Sequence, residues 1–321
     1  MYPWRCRMKL LPVIPFEPIR TEKIPKGDGW ISQVKWDGVR MLVYFDGEYV
    51  KLYNRKKHER TMQYPELTDM RRYCQANSVI LDGEIIALVD GKPSFHQVMK
   101  RDSVRKESSI QIVKDSVPIT YMVFDLLYAN GNWLTNRSLC ERQQMLSELI
   151  KVDEVVQLVK NHNDSEALFK AVSDHGLEGI VMKDLNSTYA INGKDKRWQK
   201  RKIVHDLIAV VGGVTHRSGI VNALLLGLYD EKGRLWYIGH AGSGKLTVQD
   251  WRELTETVKR IRIPDCPFVN TPERRKDAVW IKPELTVKIN FLEWTQDNSL
   301  RQPSIQSFVN ADLKECTFGQ I

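Results

Sequence analysis

Short runs in which apolar residues alternate with polar ones outnumber stretches of helical spacing along this chain, so strands dominate the reading. A lead-in over 12–29 is punctuated by Pro and Gly and ends in the turn-like PKGDGW. After it, residues 30–34, 39–45 and 49–53 form aromatic and β-branched runs of strand length. Asp46-Gly47 is a hairpin signal between the last two. Between the first two stands the interruption Lys35-Trp36-Asp37-Gly38. Apolar positions recur at helical spacing over 64–76, 137–150 and 164–175, whereas 79–89, 119–127 and 179–183 predict strands. After a basic run at 194–202 the texture changes. Residues 206–213, 221–229, 235–241, 278–281 and 286–294 are Val-, Leu- and Ile-rich strands separated by Gly-bearing turns, with one helix predicted over 247–261.

That change of texture divides the chain into an α+β domain of antiparallel sheets and helices over 1–204 and a second domain over 205–321. Four or five strands with one helix fit a small β-barrel of the oligonucleotide-binding (OB) kind, and a sandwich fragment is the alternative the pattern leaves open. Five cysteines, Cys6, Cys74, Cys140, Cys266 and Cys316, are odd in number, far apart and free of CxxC spacing. They read as reduced thiols in a cytoplasmic protein. No apolar run approaches the roughly 18 residues of a membrane span. The N-terminus carries Arg5, Arg7 and Lys9 but no continuous hydrophobic segment, so no membrane association or leader is expected. The formal net charge is +8, of which +7 falls on residues 1–205 and +1 on 206–321. Two runs, KLYNRKKHER at 51–60 and KDKRWQKRK at 194–202, account for the excess, and each taken alone reads equally as a solvated face or as a surface for a polyanionic partner.

Lys35 follows a predicted strand and precedes an Asp-Gly turn into the next, a geometry that can hold one amine rigidly at the mouth of a cleft. A protonated amine is inert, and nucleophilicity requires desolvation or a neighbouring cation; Arg40 and Arg55 can supply that field while gripping phosphate oxygens. Asp82-Gly83-Glu84 interrupts the apolar strand VILDGEIIAL, where a charge is costly without a partner or a cleft, and its two acids face one side. Glu178 precedes GIVMK and Asp125 lies within YMVFDLL. These four acids, beside Lys35, Arg40, Arg55, Lys183, Lys200 and Lys202, describe a site that balances charge on a polyphosphate and its divalent metal. A structural ion-pair network is the competing reading. GHAGSGK at 239–245 imitates a phosphate loop, but Leu246 stands where that motif requires Ser or Thr.

KWDGVR (35–40), LDGEIIAL (81–88), YMVFDLL (121–127), EGIVMK (178–183) and WQKRK (198–202) resemble, in order and spacing, the nucleotidyltransferase motifs of ATP-dependent DNA ligases. VWIKPEL (279–285) and INFLEWTQDNSLRQPS (289–304) resemble the C-terminal OB-fold barrel of the compact bacterial ligases of the end-joining type. The resemblance implies an adenylation domain followed by a DNA-binding barrel, with ATP and Mg2+ or Mn2+ as cofactors and nicked duplex DNA as substrate. It implies that Lys35 attacks the α-phosphorus of ATP and carries AMP. Arg40 and Glu84 would contact the ribose or the reacting end, Arg55 the phosphate, and Phe124 would stack on adenine. Glu84 and Glu178 would hold the metal. Lys183 would line the nucleotide site, and Lys200 and Lys202 would neutralise the α-phosphate. In the barrel, Arg217, Lys245, Arg274, Arg275 and Lys276 are candidates for backbone contacts to DNA.

The chain departs from the resemblance in two regions. Gln33 stands where many relatives have Glu, and Val309 and Asp312 stand near an expected Arg and Lys that dock on the outgoing pyrophosphate. Lys314 or Arg301 is left to substitute for them, and self-adenylation is expected to be slower than sealing of pre-adenylated DNA. A monomer with no preceding DNA-binding domain is expected, with recruitment by a DNA end-binding protein left open. The alternatives carried forward are RNA ligation or capping on the same fold, and a catalytically lapsed nucleic-acid-binding protein.

Overall fold

Two sheets carry the first unit of the chain, which ends at Lys202. They are seen in a computed structural model that describes residues 10–295 and 297–320. Arg5, Cys6, Arg7 and Lys9 lie outside the described residues; Cys74, Cys140, Cys266 and Cys316 are all free thiols. One sheet runs in the order Glu17–Arg20, Lys194–Lys202, Gly179–Asp184, Trp30–Val34. The other runs Val156–Leu158, Thr120–Ala129, Val79–Ile86, Val39–Phe45, Val50–Asn54. The expectation of antiparallel sheets needs correction, because the outermost pair of each sheet, Glu17–Arg20 with Lys194–Lys202 and Val156–Leu158 with Thr120–Ala129, is parallel. The second case follows from connectivity, since helix Leu139–Leu149 crosses over between the two strands.

Strand alternation sorts the second sheet's side chains onto two faces. Met41, Val43, Leu81, Tyr121 and Val123 pack with Tyr64, Leu67, Tyr73 and Leu146 in one core. Leu42, Tyr44, Ile80 and Leu127 pack with Phe16, Tyr189 and Trp198 in another. Phe16 and Trp198 come from the neighbourhood of the first sheet, so this second core joins the two sheets. Residues 35–38 are the chain's crossing from one sheet to the other. Gly38 is required there: a Cβ would lie 2.2 Å from the carbonyl oxygen of Ile85.

The helix predicted over 64–76 is instead a pair of 3-10 turns, Thr61–Gln63 and Pro65–Leu67, and a short helix Met70–Tyr73. Side chains take carbonyls that a continuous helix would use: Arg101 takes that of Gln63, Arg72 that of Glu66 and the Tyr73 hydroxyl that of Leu67. Helices Phe95–Asp102 and Glu107–Ser116 were not legible from periodicity.

The second unit begins at Ile203. It is one antiparallel sheet in the order Leu235–Ala241, Ile220–Tyr229, His205–Arg217, Ala278–Phe291, Ser304–Val309. Helix Val248–Arg260 packs Leu254 and Val258 into its core. The two short strands expected at 278–281 and 286–294 are one strand, whose irregularity faces the bulge between Val211 and Gly213. The sheet is OB-like but its strand path does not close. Among the described residues its two ends are joined by the bridge Gly244–Ile305, with Ile305 N donating to Ser243 O and Lys245 N to Ile305 O, and by Leu300 N donating to Ile238 O. The glycine-rich GHAGSGK is thus a piece of sheet scaffolding: a Cβ on Gly244 would lie 2.0 Å from Ile305 O. Among the described residues no helix is long and apolar enough to cross a membrane.

Candidate active site

At the crossing between the sheets, the backbone N–H of Lys35 donates to Gly179 O at 2.8 Å, tying the end of Trp30–Val34 to the start of Gly179–Asp184. The Lys35 ammonium donates to Glu178 Oε2 at 2.5 Å, and Lys202 Nζ lies 2.8 Å from Glu178 Oε1. One carboxylate therefore bridges two amines. Burial disfavours its charge, but Lys35 and Lys202 outweigh that and hold its pKa below the usual carboxylate range. Lys200 is half-buried beside them; burial, then the positive charges of Lys35 and Lys202, pull its ammonium below the usual lysine range. Lys200 and Lys202 reach this place because Lys194–Lys202 is a strand of the first sheet, paired with Gly179–Asp184. Of the two readings of the basic run 194–202, a solvated face or an anion-facing surface, its Lys200 and Lys202 end fits the second.

Arg40 and Glu84 are direct cross-strand partners, yet the Arg40 guanidinium turns to Asp82. It makes a bidentate pair, Nε to Oδ1 at 2.9 Å and Nη2 to Oδ2 at 2.6 Å, and donates Nη1 to Phe16 O at 2.6 Å. The Tyr189 hydroxyl donates to Asp82 Oδ2 at 2.7 Å. Asp82 is fully buried, so it anchors Arg40 and is not free for a ligand. Asp125 is likewise consumed in a buried bidentate pair with Arg142, at 2.8 and 2.9 Å, so the set of four available acids contracts to two. Glu84 is the acid left open, with no hydrogen bond or ion pair among the described residues. Burial pushes its carboxyl up to about 8 against the pull of Lys35 and Arg40.

Phe124 is the extra residue of a β-bulge: Asp82 pairs with Asp125 and Gly83 with Val123. The bulge re-aims its ring toward the site, edge-on to Trp198 at 6.1 Å and with the Arg40 guanidinium 5.3 Å from its centroid. Trp36 and Phe124 both pack against the cluster Ile86, Met122 and Val159, and the Trp36 indole N–H has no partner among the described residues. Lys183 is 2% exposed, with Nζ 4.3 Å from the Phe124 ring and 4.0 Å from the Trp198 ring. Burial brings its ammonium down to about 7, with Asp125 and Asp82 opposing. Arg55 is the predicted member that the structure does not bring to this group; it is exposed and pairs with Glu17 at 3.5 Å. Tyr189, Asn161 and Gln143 were missed, and none carries a local sequence signal, since each is brought in by pairing between distant segments.

In the second unit, Arg217, Lys245, Arg274, Arg275 and Lys276 are all exposed. Val309 ends the edge strand and Asp312 caps the turn Leu313–Glu315 by accepting from Lys314 N. Of the two cations considered as substitutes, Arg301 is held by Glu293 at 2.5 Å and Lys314 is exposed.

Comparison with known proteins matches residues 17–202 to the ATP dependent DNA ligase domain and residues 217–310 to the ATP dependent DNA ligase C terminal region. The chain is 29% identical over 287 residues to the multifunctional non-homologous end joining protein LigD of Mycolicibacterium smegmatis, covering 87% of this chain and 36% of that protein. It is 28% identical over 275 residues to a DNA ligase of Thermococcus fumicolans, covering 81% and 47%. The chain thus spans between a third and a half of the length of these curated relatives. A solved structure of mycobacterial DNA ligase D complexed with ATP and MES shares 26% identity over 95% of this chain and 98% of that one, with a TM-score of 0.52. With more than half of its length matched by the ligase domain, the chain belongs to the family of ATP-dependent DNA ligases.

Proposed function

We propose that this chain seals 5′-phosphate/3′-hydroxyl nicks in duplex DNA through a lysyl-AMP and a DNA-adenylate. The observation that supports this best is the Lys35 amine held at the sheet crossing against Glu178, with Lys200 and Lys202 beside it. In the first step a Lys35 N–P bond forms at the α-phosphorus of ATP, the bond to pyrophosphate breaks and the amine loses a proton. Lys200 and Lys202 bear on the charge that develops on the α-phosphoryl oxygens. In the second step a DNA 5′-phosphate oxygen takes the AMP and restores the amine. In the third, the 3′-hydroxyl attacks that 5′-phosphate and AMP leaves.

Phe124 is the base platform, Arg40 and Glu84 face the ribose or the reacting end, Lys183 backs the platform, and Gln33 borders the base. Arg55 meets phosphate from the exposed rim. Glu84 and Glu178 are the acids that would hold a divalent cation, which would have to displace the Glu84 proton and the Lys35 and Lys202 ammonium groups now on Glu178. No group of three His, Cys, Asp or Glu side chains gathers among the described residues, so Mg2+ or Mn2+ would depend on phosphate oxygens and water for the rest of its ligands. Such an ion supplies charge neutralisation of the triphosphate. The two domains, 1–204 for adenylation and 205–321 for DNA, act as a monomer, and the LigD relatives favour a role in end joining with a DNA end-binding partner.

The test uses ATP labelled at the α-phosphate, followed by a nicked duplex. Acid-labile label on the protein, its loss in Lys35→Ala with DNA binding retained, and sealing of the nick are expected. No label, together with no sealing of a pre-adenylated nick, would refute the proposal. Labelling from GTP in place of ATP, or sealing confined to 3′-ribose strands, would move the activity to capping or RNA ligation.

A further inference from the structure

Beside Lys35 a one-way row of hydrogen bonds links three amide side chains to a backbone carbonyl. Gln143 Nε2 donates to Phe124 O at 2.7 Å, Asn161 Nδ2 donates to Gln143 Oε1 at 3.1 Å, and Gln33 Nε2 donates to Asn161 Oδ1 at 2.7 Å. The row closes because the segment after Val156–Leu158 bridges to the first sheet at Ser32–His162, which sets Asn161 opposite Gln33. A backbone carbonyl can only accept, so direction is imposed from the Phe124 end. Gln143 must present its NH2 there and its oxygen to Asn161, and Asn161 must present its oxygen to Gln33. At the far end the Gln33 NH2 is committed, while its Oε1 accepts from no group among the described residues. Gln33 is 2% exposed, so turning its amide over would set two oxygens face to face with little water to relieve them.

The two ends of the row border the same place. Gln33 is two residues before Lys35, and Phe124 carries the ring aimed into the site. We infer, building on the nucleotide-binding reading above, that Asn161 and Gln143 are positioning residues that fix the Gln33 amide as a hydrogen-bond acceptor toward position 6 of the bound purine, so that the chain selects 6-amino over 6-oxo purine triphosphates. A 6-amino group donates to Gln33 Oε1, whereas a 6-oxo group meets it oxygen to oxygen. A carboxylate at this position would accept through either oxygen and need no orientation. An amide has one acceptor and one donor end, and which end faces the ligand must be decided by its other partner. The row supplies that decision.

The full chain is incubated with α-labelled ATP, ITP or GTP, and the initial rates of covalent labelling are compared as the ATP-to-ITP ratio. Asn161→Leu removes the acceptor that holds Gln33, and the ratio is expected to fall about tenfold, the scale of one hydrogen bond. Gln143→Leu breaks the row one step back and lowers the ratio in the same direction. Asn161→Asp keeps an acceptor opposite the Gln33 NH2 and holds the ratio within about threefold of the parent. Sealing of a pre-adenylated nick, which needs no nucleotide, verifies that each variant is folded. A ratio unchanged in Asn161→Leu, or lost equally in the Leu and Asp variants, overturns the row as the selector while leaving the ligase reading intact. Absence of ATP label on the parent chain overturns both.

Discussion

At the scale of single residues, the acids of the site divide by what holds them. Asp82 and Asp125 are spent on Arg40 and Arg142, Glu178 bridges Lys35 and Lys202, and Glu84, without a hydrogen bond or ion pair among the described residues, has its carboxyl raised to about 8. All four were legible as unusual, because each interrupts an apolar strand or its edge. Which of them had a partner was not, since the partners lie 17 to 143 residues away. The raised value of Glu84 carries a sign. Its folded pKa exceeds its unfolded one, so the neutral acid favours the fold; that contribution is complete below about 4.5 and is lost as pH rises through about 8. Glu84→Gln does not titrate, and should be more stable than the parent by on the order of 1–3 kcal/mol at pH 9 and nearly equal to it at pH 4. Urea denaturation of both proteins across that range checks this, and parallel pH profiles for the two would contradict it. Lys183 titrates in the opposite sense: its ammonium is brought down to about 7, so lowering the pH toward 7 weakens the fold.

At the scale of elements, the turn 35–38 does more than join two strands, because it carries the chain between two sheets and sets the amine at their junction. A Cβ at Gly38 would lie 2.2 Å from Ile85 O, and one at Gly83 would lie 2.4 Å from the Tyr121 ring. Gly38→Ala must therefore push strands Val39–Phe45 and Val79–Ile86 apart, at a cost of about 2–4 kcal/mol. The expected readouts are a lowered thermal midpoint and a loss of ATP labelling larger than the loss of DNA binding. A midpoint unchanged from the parent would show that the sheets absorb the methyl group. Most strands were readable because their alternation is local, as in 39–45. The bulges at Phe124 and Leu127, and the 3-10 turns in place of the helix over 64–76, were not readable, because the bulges are set by pairing with Val79–Ile86 and the turns by side-chain bonds that include one from distant Arg101.

For the whole molecule, chain length allowed two domains and the charge excess lay before residue 206; the ligase domain matches residues 17–202 and the ligase C-terminal region residues 217–310. DNA contact without base readout is governed by phosphate neutralisation, with a log–log salt slope of about −0.9 for each phosphate engaged. Replacing Arg274, Arg275 and Lys276, all exposed, by Ser should flatten that slope by about 1–3 in nicked-duplex anisotropy titrations while leaving ATP labelling at the parental rate. An unchanged slope would remove this turn from the DNA-facing surface. The amino-acid sequence by itself determined the order of the motifs, the identity of the candidate nucleophile Lys35 and the concentration of positive charge before residue 206, because residue type and periodicity are properties of local stretches. Only the tertiary structure decided which charges remain open. Strand pairing sets Arg40 opposite Glu84 while its guanidinium turns to Asp82, makes a basic run one wall of the site, and brings Asn161 to Gln33 across 128 residues. A side chain's partner in a β-rich fold is set by pairing between distant strands, and that pairing has no local signature.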